Sequence, residues 1–169
     1  MPLLGQYTGA RLNELCQLYV NDIKEIDKIW CIDINRNTND KKLKNASSER
    51  VIPIHPKLIE LGFLNFVKEQ KKKKTERLFS HLKLGSDGYI KNVSRFFNVK
   101  WLPEIGVKTS KKSFHSLRHT LANELIQVGV NEQVASELLG HASQSITYGR
   151  YGKESRIEVL LEQISKIFF

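Results

Sequence analysis

The chain has 169 residues, 40% of them hydrophobic and 27% charged, which is enough apolar material for a buried core and ordinary for a soluble globular protein. Its charge is not ordinary: a formal +9 and a pI of about 9.6 favour a polyanionic partner, most often nucleic acid and less often an acidic membrane face. No apolar run approaches membrane-spanning length, neither Cys16 nor Cys31 belongs to a CxxC pair, and the opening "MPLLGQYTGARLNEL" lacks the basic-then-apolar order of a signal peptide, so a membrane span, a cysteine metal site and a secreted disulfide scaffold are all disfavoured.

In chain order, "RLNELCQLYV" (11–20) places Leu12, Leu15, Cys16 and Tyr19 on one helical stripe, with Gly9 available for a tight turn before it. "IDKIWCIDI" (26–34) alternates as a half-buried strand does, and "RVIPIH" (50–55) predicts a second strand. The Asn-, Ser- and Lys-rich stretch between them reads as a mobile basic tip of an antiparallel unit, with a short middle strand expected around residues 42–44. Pro56 suits a helix start, and Leu58, Ile59, Phe63, Phe66 and Val67 give that helix its apolar side. "KEQKKKKTER" reads as a solvated helix end and loop.

Further on, Ile90, Val93, Phe97 and Trp101 stand at helical spacing, and Pro103 is expected to stop that helix. "SFHSLRHTLANEL" (113–125) predicts a helix capped by Ser113 and closed at Gly129. Asn131 caps the next, which buries Val134, Leu138 and Leu139 and ends at Gly140. The last segment, "SRIEVLLEQISKIFF", is amphipathic through Ile157, Leu160, Leu161, Ile164, Ile167 and Phe168. The fold class expected is α+β: mainly helical, with a small antiparallel sheet of about three strands packed beside a helical core.

The helix over 113–125 raises the functional question. With Leu117 at zero on a wheel of roughly 100° per residue, Phe114, Leu121, Leu125 and Val128 form the core stripe. His115, Arg118, His119 and Ala122 form a neighbouring edge. A guanidinium there can offer two parallel N–H groups to a phosphate, and an imidazole can donate a hydrogen bond or exchange a proton near neutral pH. A bland reading stands beside this one: a lone His or Arg at a helix edge is usually a structural hydrogen-bonder, and His119 is read as a packing or capping residue. His115 and His119, four apart, could also join His141 around a metal. Yet Ser116 stands where a zinc protease has Glu, and no carboxylate shares the edge.

The stretches "HSLRHT", "LLGH" (138–141) and "YGRYGK" together resemble the tyrosine recombinases, also called phage integrases, which carry a His-x-x-Arg box, a Leu-Gly-His box and a tyrosine nine or ten residues later. "TGARLNEL" resembles their first arginine box, and "LKNASSERVIPIHP" resembles their lysine-bearing hairpin and the strand behind it. The matches run from Thr8 to Lys153; each motif alone is weak, but four in order are specific.

The resemblance implies a catalytic set of Arg11, Lys44, His115, Arg118, His141 and Tyr151. It implies cleavage and rejoining of DNA through a covalent 3′-phosphotyrosyl intermediate, without metal, nucleotide or other cofactor. Tyr151, ten residues after His141, fits the nucleophile better than Tyr148, seven after it. Lys41 and Lys42 stand beside Lys44 as alternatives for the hairpin lysine. Glu14, one turn after Arg11, is expected to brace its guanidinium, Arg50 to be structural, and Arg150 to face solvent or phosphate.

The expected partner is double-stranded DNA, with self-association into a tetramer on it, in the cytoplasm and on the nucleoid. The whole chain, 1–169, reads as a catalytic domain lacking the family's N-terminal DNA clamp. Residues 154–169 form a C-terminal segment that either packs back on its own domain or docks on a neighbouring protomer. Two rivals of other classes are a non-catalytic helix-turn-helix-like DNA-binding module built on the helices around Gly129, and a metal-dependent hydrolase using the histidines. A type IB topoisomerase shares the tyrosine chemistry, but "LLGH" and the compact size favour the integrases.

Overall fold

The computed structural model describes residues 1–141 and 155–169. The chain opens with α1 (Pro2–Thr8) and α2 (Leu12–Cys16). Gly9 joins them in the left-handed region, φ 61°, where glycine pays no Cβ penalty. The helix expected over 11–20 is therefore a short one, begun by Arg11 and finished at Cys16.

Strands β1 (Ile23–Ile26), β2 (Ile29–Ile34) and β3 (Arg50–Pro53) form one antiparallel sheet in the order β1-β2-β3. Three strands were expected, but their positions differ. Asp27 and Lys28 both have positive φ and make a two-residue turn inside the expected 26–34 strand, so the hairpin lies earlier. The apolar alternation ran on through that turn because its two residues fall in phase with the strands. Residues 42–44 form no strand: the Lys42 N–H and carbonyl bond to the side chains of Gln17 and Asn13 instead. Register pairs Ile23 with Ile32 and Ile32 with Ile52, which lines one sheet face with isoleucines buried in the core.

The helix expected from Pro56 divides at Gly62 (φ 85°) into α3 (Pro56–Glu60) and α4 (Phe63–Lys72). Pro103 does not end the next helical path. A π-helical turn over Phe96–Trp101 connects α5 (Lys91–Arg95) to α6 (Leu102–Glu104). The wider turn leaves room for a proline ring that would meet the carbonyl four residues back in a regular α-helix.

Helix α7 (His115–Gln127) starts one residue later than expected, after Phe114, and has no side-chain cap. Ser113 does not cap it. Instead the Ser116 hydroxyl accepts the Ser113 N–H at 3.1 Å. Gly129 follows with φ 74°, as the left-handed stop requires. Asn131 caps α8 (Glu132–Leu139), its Oδ1 accepting the Gln133 N–H at 2.8 Å, and Gly140 closes it. Leu121 and Leu125 are fully buried, whereas Val128, past the end of α7, is 39% exposed.

Helix α1 packs on α7, and α9 (Ile157–Ile164) packs on β3 and α8. Leu160, Ile164 and Ile167 enter the common core, and the His55 Nε2–H donates to the Ile167 carbonyl at 3.0 Å. In this structure the C-terminal segment thus covers its own domain. Phe168 alone of the apolar residues named in that segment stays well outside, 83% exposed. Among the described residues no helix is long and apolar enough to cross a membrane.

Candidate active site

Arg11 stands at the N-cap of α2, where its backbone N–H is held by Glu14 Oε2 at 2.9 Å. Its side-chain Nη1 donates to Glu14 Oε1 at 2.7 Å and to Ser48 Oγ at 3.1 Å. The other Glu14 oxygen accepts from Arg50 Nη2 at 3.0 Å. One carboxylate, 2% exposed, therefore serves two guanidiniums. Burial acts to raise the Glu14 pKa, but Arg50 and Arg11 outweigh it and hold the carboxyl below its usual value. The expectation that Glu14 braces Arg11 is met, and the brace is shared.

Arg50 opens β3 and is structural, as expected. Its Nη1 donates to the Ser48 carbonyl at 2.7 Å and its Nε to the Leu138 carbonyl at 2.9 Å. The second bond crosses from the sheet to the end of α8, two residues before Gly140 and three before His141. A Cβ on Gly140 would lie 2.8 Å from Arg50 Nη1, so the Leu-Gly-His turn needs glycine both for its φ of 67° and for space.

Arg118 is not on the rim of α7. It is 4% exposed, and its Nη1 donates to the Gly9 carbonyl at 2.8 Å. Its Nη2 is buried without a hydrogen-bond partner among the described residues. Burial, then Arg11 and Arg50, pull its pKa down to about 10, so it stays cationic at neutral pH. His115 and His119 project one turn apart, rings 4.7 Å between centroids and nearly perpendicular. Burial first, then the charges of His119, Arg118, Arg11 and Lys44, lower the pKa of His115. Burial, then Arg118, Arg11, Arg50 and His115, lower that of His141.

Those mutual influences mean that Arg11, Lys44, His115, Arg118 and His141 share one electrostatic neighbourhood, although they come from α2, the 35–49 loop, α7 and the end of α8. Lys44 is exposed, whereas Lys41 is buried in an ion pair with Asp22 at 2.8 Å and has no free amine to offer. Tyr148, Arg150 and Tyr151 lie outside the described residues. Among the described residues no three His, Cys, Asp or Glu side chains are gathered to hold a metal ion, so His115, His119 and His141 do not assemble the ligand set weighed from their spacing.

A cleft of about 980 Å³ opens between the sheet and α9, with Arg50 and His141 on its wall. Asp33, Glu49 and Glu137 also line it and would repel a phosphate. The positive field lies instead at Arg11, Arg118 and Lys44. Sequence reasoning missed two partners of this field, the Ser48 hydroxyl and the Gly9 carbonyl. Neither carries a signal of its own, because a serine in a loop and a glycine in a turn have many commoner uses.

The sequence model of the phage integrase family matches residues 1–156. The chain belongs to the phage integrase family. A tyrosine recombinase of Thermosipho africanus is 35% identical over 146 residues, covering 83% of this chain and 44% of the relative. The chain thus spans less than half the length of the curated relatives it matches. Among solved structures, the integrase of mycobacterium phage Brujita superposes with a TM-score of 0.62 at 19% identity, over 98% of this chain and 49% of that one. The Tn1549 transposon integrase, solved in complex with transposon right end DNA, gives 0.58 at 19% identity, over 98% and 57%. At that identity the two structures speak for the fold: this phage integrase family chain has the same mainly helical α+β architecture, with its three-stranded antiparallel sheet.

Proposed function

We propose that this chain is the catalytic part of a site-specific DNA recombinase that breaks and rejoins DNA through a 3′-phosphotyrosyl intermediate. One observation carries the reading: Arg118 donates to the Gly9 carbonyl at 2.8 Å, two residues before Arg11, so two arginines distant in sequence are brought together, and the charges of both bear on His115 and His141. A phosphodiester under attack develops charge on its non-bridging oxygens, and preorganised, permanently charged donors stabilise it. Arg11 and Arg118 are those donors, and Arg118 Nη2, buried without a partner among the described residues, is a donor held in reserve for an anion. His141 adds a third donor.

Tyr151 is the nucleophile in this reading. Its oxygen bonds to phosphorus while the bond from phosphorus to the 5′ oxygen breaks. His115 takes the phenolic proton; its lowered pKa keeps it neutral and able to accept one. Lys44 gives a proton to the departing 5′ oxygen. The phosphotyrosyl linkage is itself a phosphodiester and conserves the energy of the bond broken, so the 5′ hydroxyl of another strand can attack it, release the tyrosine and reverse the step. Every group in this scheme is a side chain, and the reaction calls for neither metal nor nucleotide. The partner is double-stranded DNA, the assembly on it a tetramer, and the place the cytoplasm, on the nucleoid.

The helix-turn-helix-like reading explains the charge and the α7–α8 pair but gives no task to the buried Arg118 or to the shared Glu14 brace. A nicked duplex that loses its 5′ fragment after cleavage traps the covalent adduct. Wild type and Tyr148→Phe are expected to form it and Tyr151→Phe to form none. An adduct with Tyr151→Phe, or none with wild type, overturns the assignment.

A further inference from the structure

The loop between β2 and β3 carries Lys44, and the chain on both sides of Lys44 is tied to α2 and its two caps, Arg11 and Gln17. Before Lys44, the Lys42 N–H donates to Gln17 Oε1 at 2.9 Å, and the Lys42 carbonyl accepts from Asn13 Nδ2 at 3.3 Å. Gln17 is 2% exposed. After Lys44, Asn45 Oδ1 accepts from the hydroxyls of Ser47 and Ser48, and Ser48 Oγ accepts from Arg11 Nη1. Leu43 packs against the core between these ties. The chain on either side of Lys44 is thus tied, at Lys42 to Asn13 and Gln17 and at Asn45 through Ser48 to Arg11, to one short stretch of sequence.

A second anchor lies just upstream. Asp40 accepts three hydroxyls: Thr38 at 2.6 Å, Tyr89 at 2.5 Å and Tyr19 at 3.0 Å. The three donors come from three separate chain segments. Arg77 stacks on the Tyr89 ring at 3.3 Å, and Lys41 is locked to Asp22 and Asn35. Hydrogen bonds to a carboxylate are stronger than neutral ones, so Asp40 is the hub of this anchor.

We propose that Asp40 and Gln17 are positioning residues that hold the loop so that Lys44 can protonate the departing 5′ oxygen. This rests on the reading of Lys44 given above. A lysine reaches its target through four rotatable bonds, so its efficiency as an acid depends on where its backbone is fixed. Asp40 and Gln17 touch neither DNA nor the reacting atoms; they act through Lys44.

The test compares cleavage by the chain of a nicked duplex with an ordinary 5′ oxygen and one with a 5′-bridging sulfur, a leaving group that needs no proton. Asp40→Ala and Gln17→Leu are expected to slow the oxygen substrate by about tenfold or more, short of the roughly 10²–10⁴-fold lost with the general acid itself. Both are expected to return near the wild-type rate on sulfur, as is Lys44→Ala. Tyr89→Phe, which removes one hydroxyl and no charge, should show a smaller loss with the same rescue, and serves if Asp40→Ala does not fold. Slowing that is equal on both substrates means a merely structural role and overturns the proposal, as does unchanged oxygen cleavage. Rescue of Lys44→Ala without rescue of Asp40→Ala overturns the proposal alone. Absence of rescue in Lys44→Ala itself shows that the general-acid reading has failed, and the proposal falls with it.

Discussion

The Arg118 guanidinium donates to the carbonyl of Gly9 across 109 residues of sequence, at 2.8 Å. That single bond ties α7 to the turn from which α2 and Arg11 begin. The approach is close because Gly9 has no side chain: a Cβ there would lie 2.6 Å from Leu139 Cδ2 and 3.0 Å from Leu121 Cδ2.

Gly9→Ala is therefore expected to destabilise the chain by about 1–3 kcal/mol, from the strained left-handed backbone together with overpacking. Denaturant unfolding measures it. Cleavage should fall by more than the folded fraction does, because Arg118 is displaced with its acceptor. A neutral Gly9→Ala would show that the turn yields freely.

Arg118→Lys keeps the charge and loses the planar fork. The expected loss in adduct formation is about 10²–10³-fold, the scale for removing one preorganised donor from a developing oxyanion. DNA affinity, measured by titration, should change far less. A lysine variant with near-normal cleavage would mean that charge alone suffices.

Arg50→Ala removes one half of the Glu14 brace and the bond to the Leu138 carbonyl. Breaking a buried ion pair typically costs about 3–5 kcal/mol, and the lower figure is expected because Arg11 remains on Glu14. Added salt should leave this loss nearly unchanged, since the pair is hidden from solvent. A salt-dependent loss would place the pair at the surface.

His55, His115 and His141 are all shifted below the ordinary imidazole value of 6.5, burial being the first cause in each. The unfolded chain binds these protons more readily than the folded one. The stabilisation is complete above pH 6.5 and is lost as pH falls through the lower folded values. Urea midpoints should therefore rise from pH 5 to pH 7. His55→Gln should flatten part of that slope, since His55 Nδ1 accepts the Lys57 N–H only when neutral.

DNA affinity should fall steeply with salt, as expected for phosphate contacts made by a chain of net charge +9. Titrations at several salt concentrations give the slope. A flat response would argue against a phosphate-led interface.

Much of this protein was legible in the residues. The Asn131 cap and the stops at Gly129 and Gly140 depend on neighbours within a turn or two, and local chemistry decides them. The misplaced hairpin, the broken helix at Gly62 and the passage through Pro103 show where periodicity fails. A two-residue turn in phase with its strands leaves no mark on the pattern, and a π turn alters the very spacing being counted.

By itself, then, the sequence determined the family, the charge, the helical amphipathy and the cast of polar side chains, because each is a matter of residue type and short spacing. Only the tertiary structure decided that Arg118 is buried on the Gly9 carbonyl, that Glu14 is shared by Arg11 and Arg50, and that Lys41 is locked away while Lys44 is exposed. Those outcomes depend on which segments meet in space, and hydrogen bonds between distant segments form only once the core has brought them together.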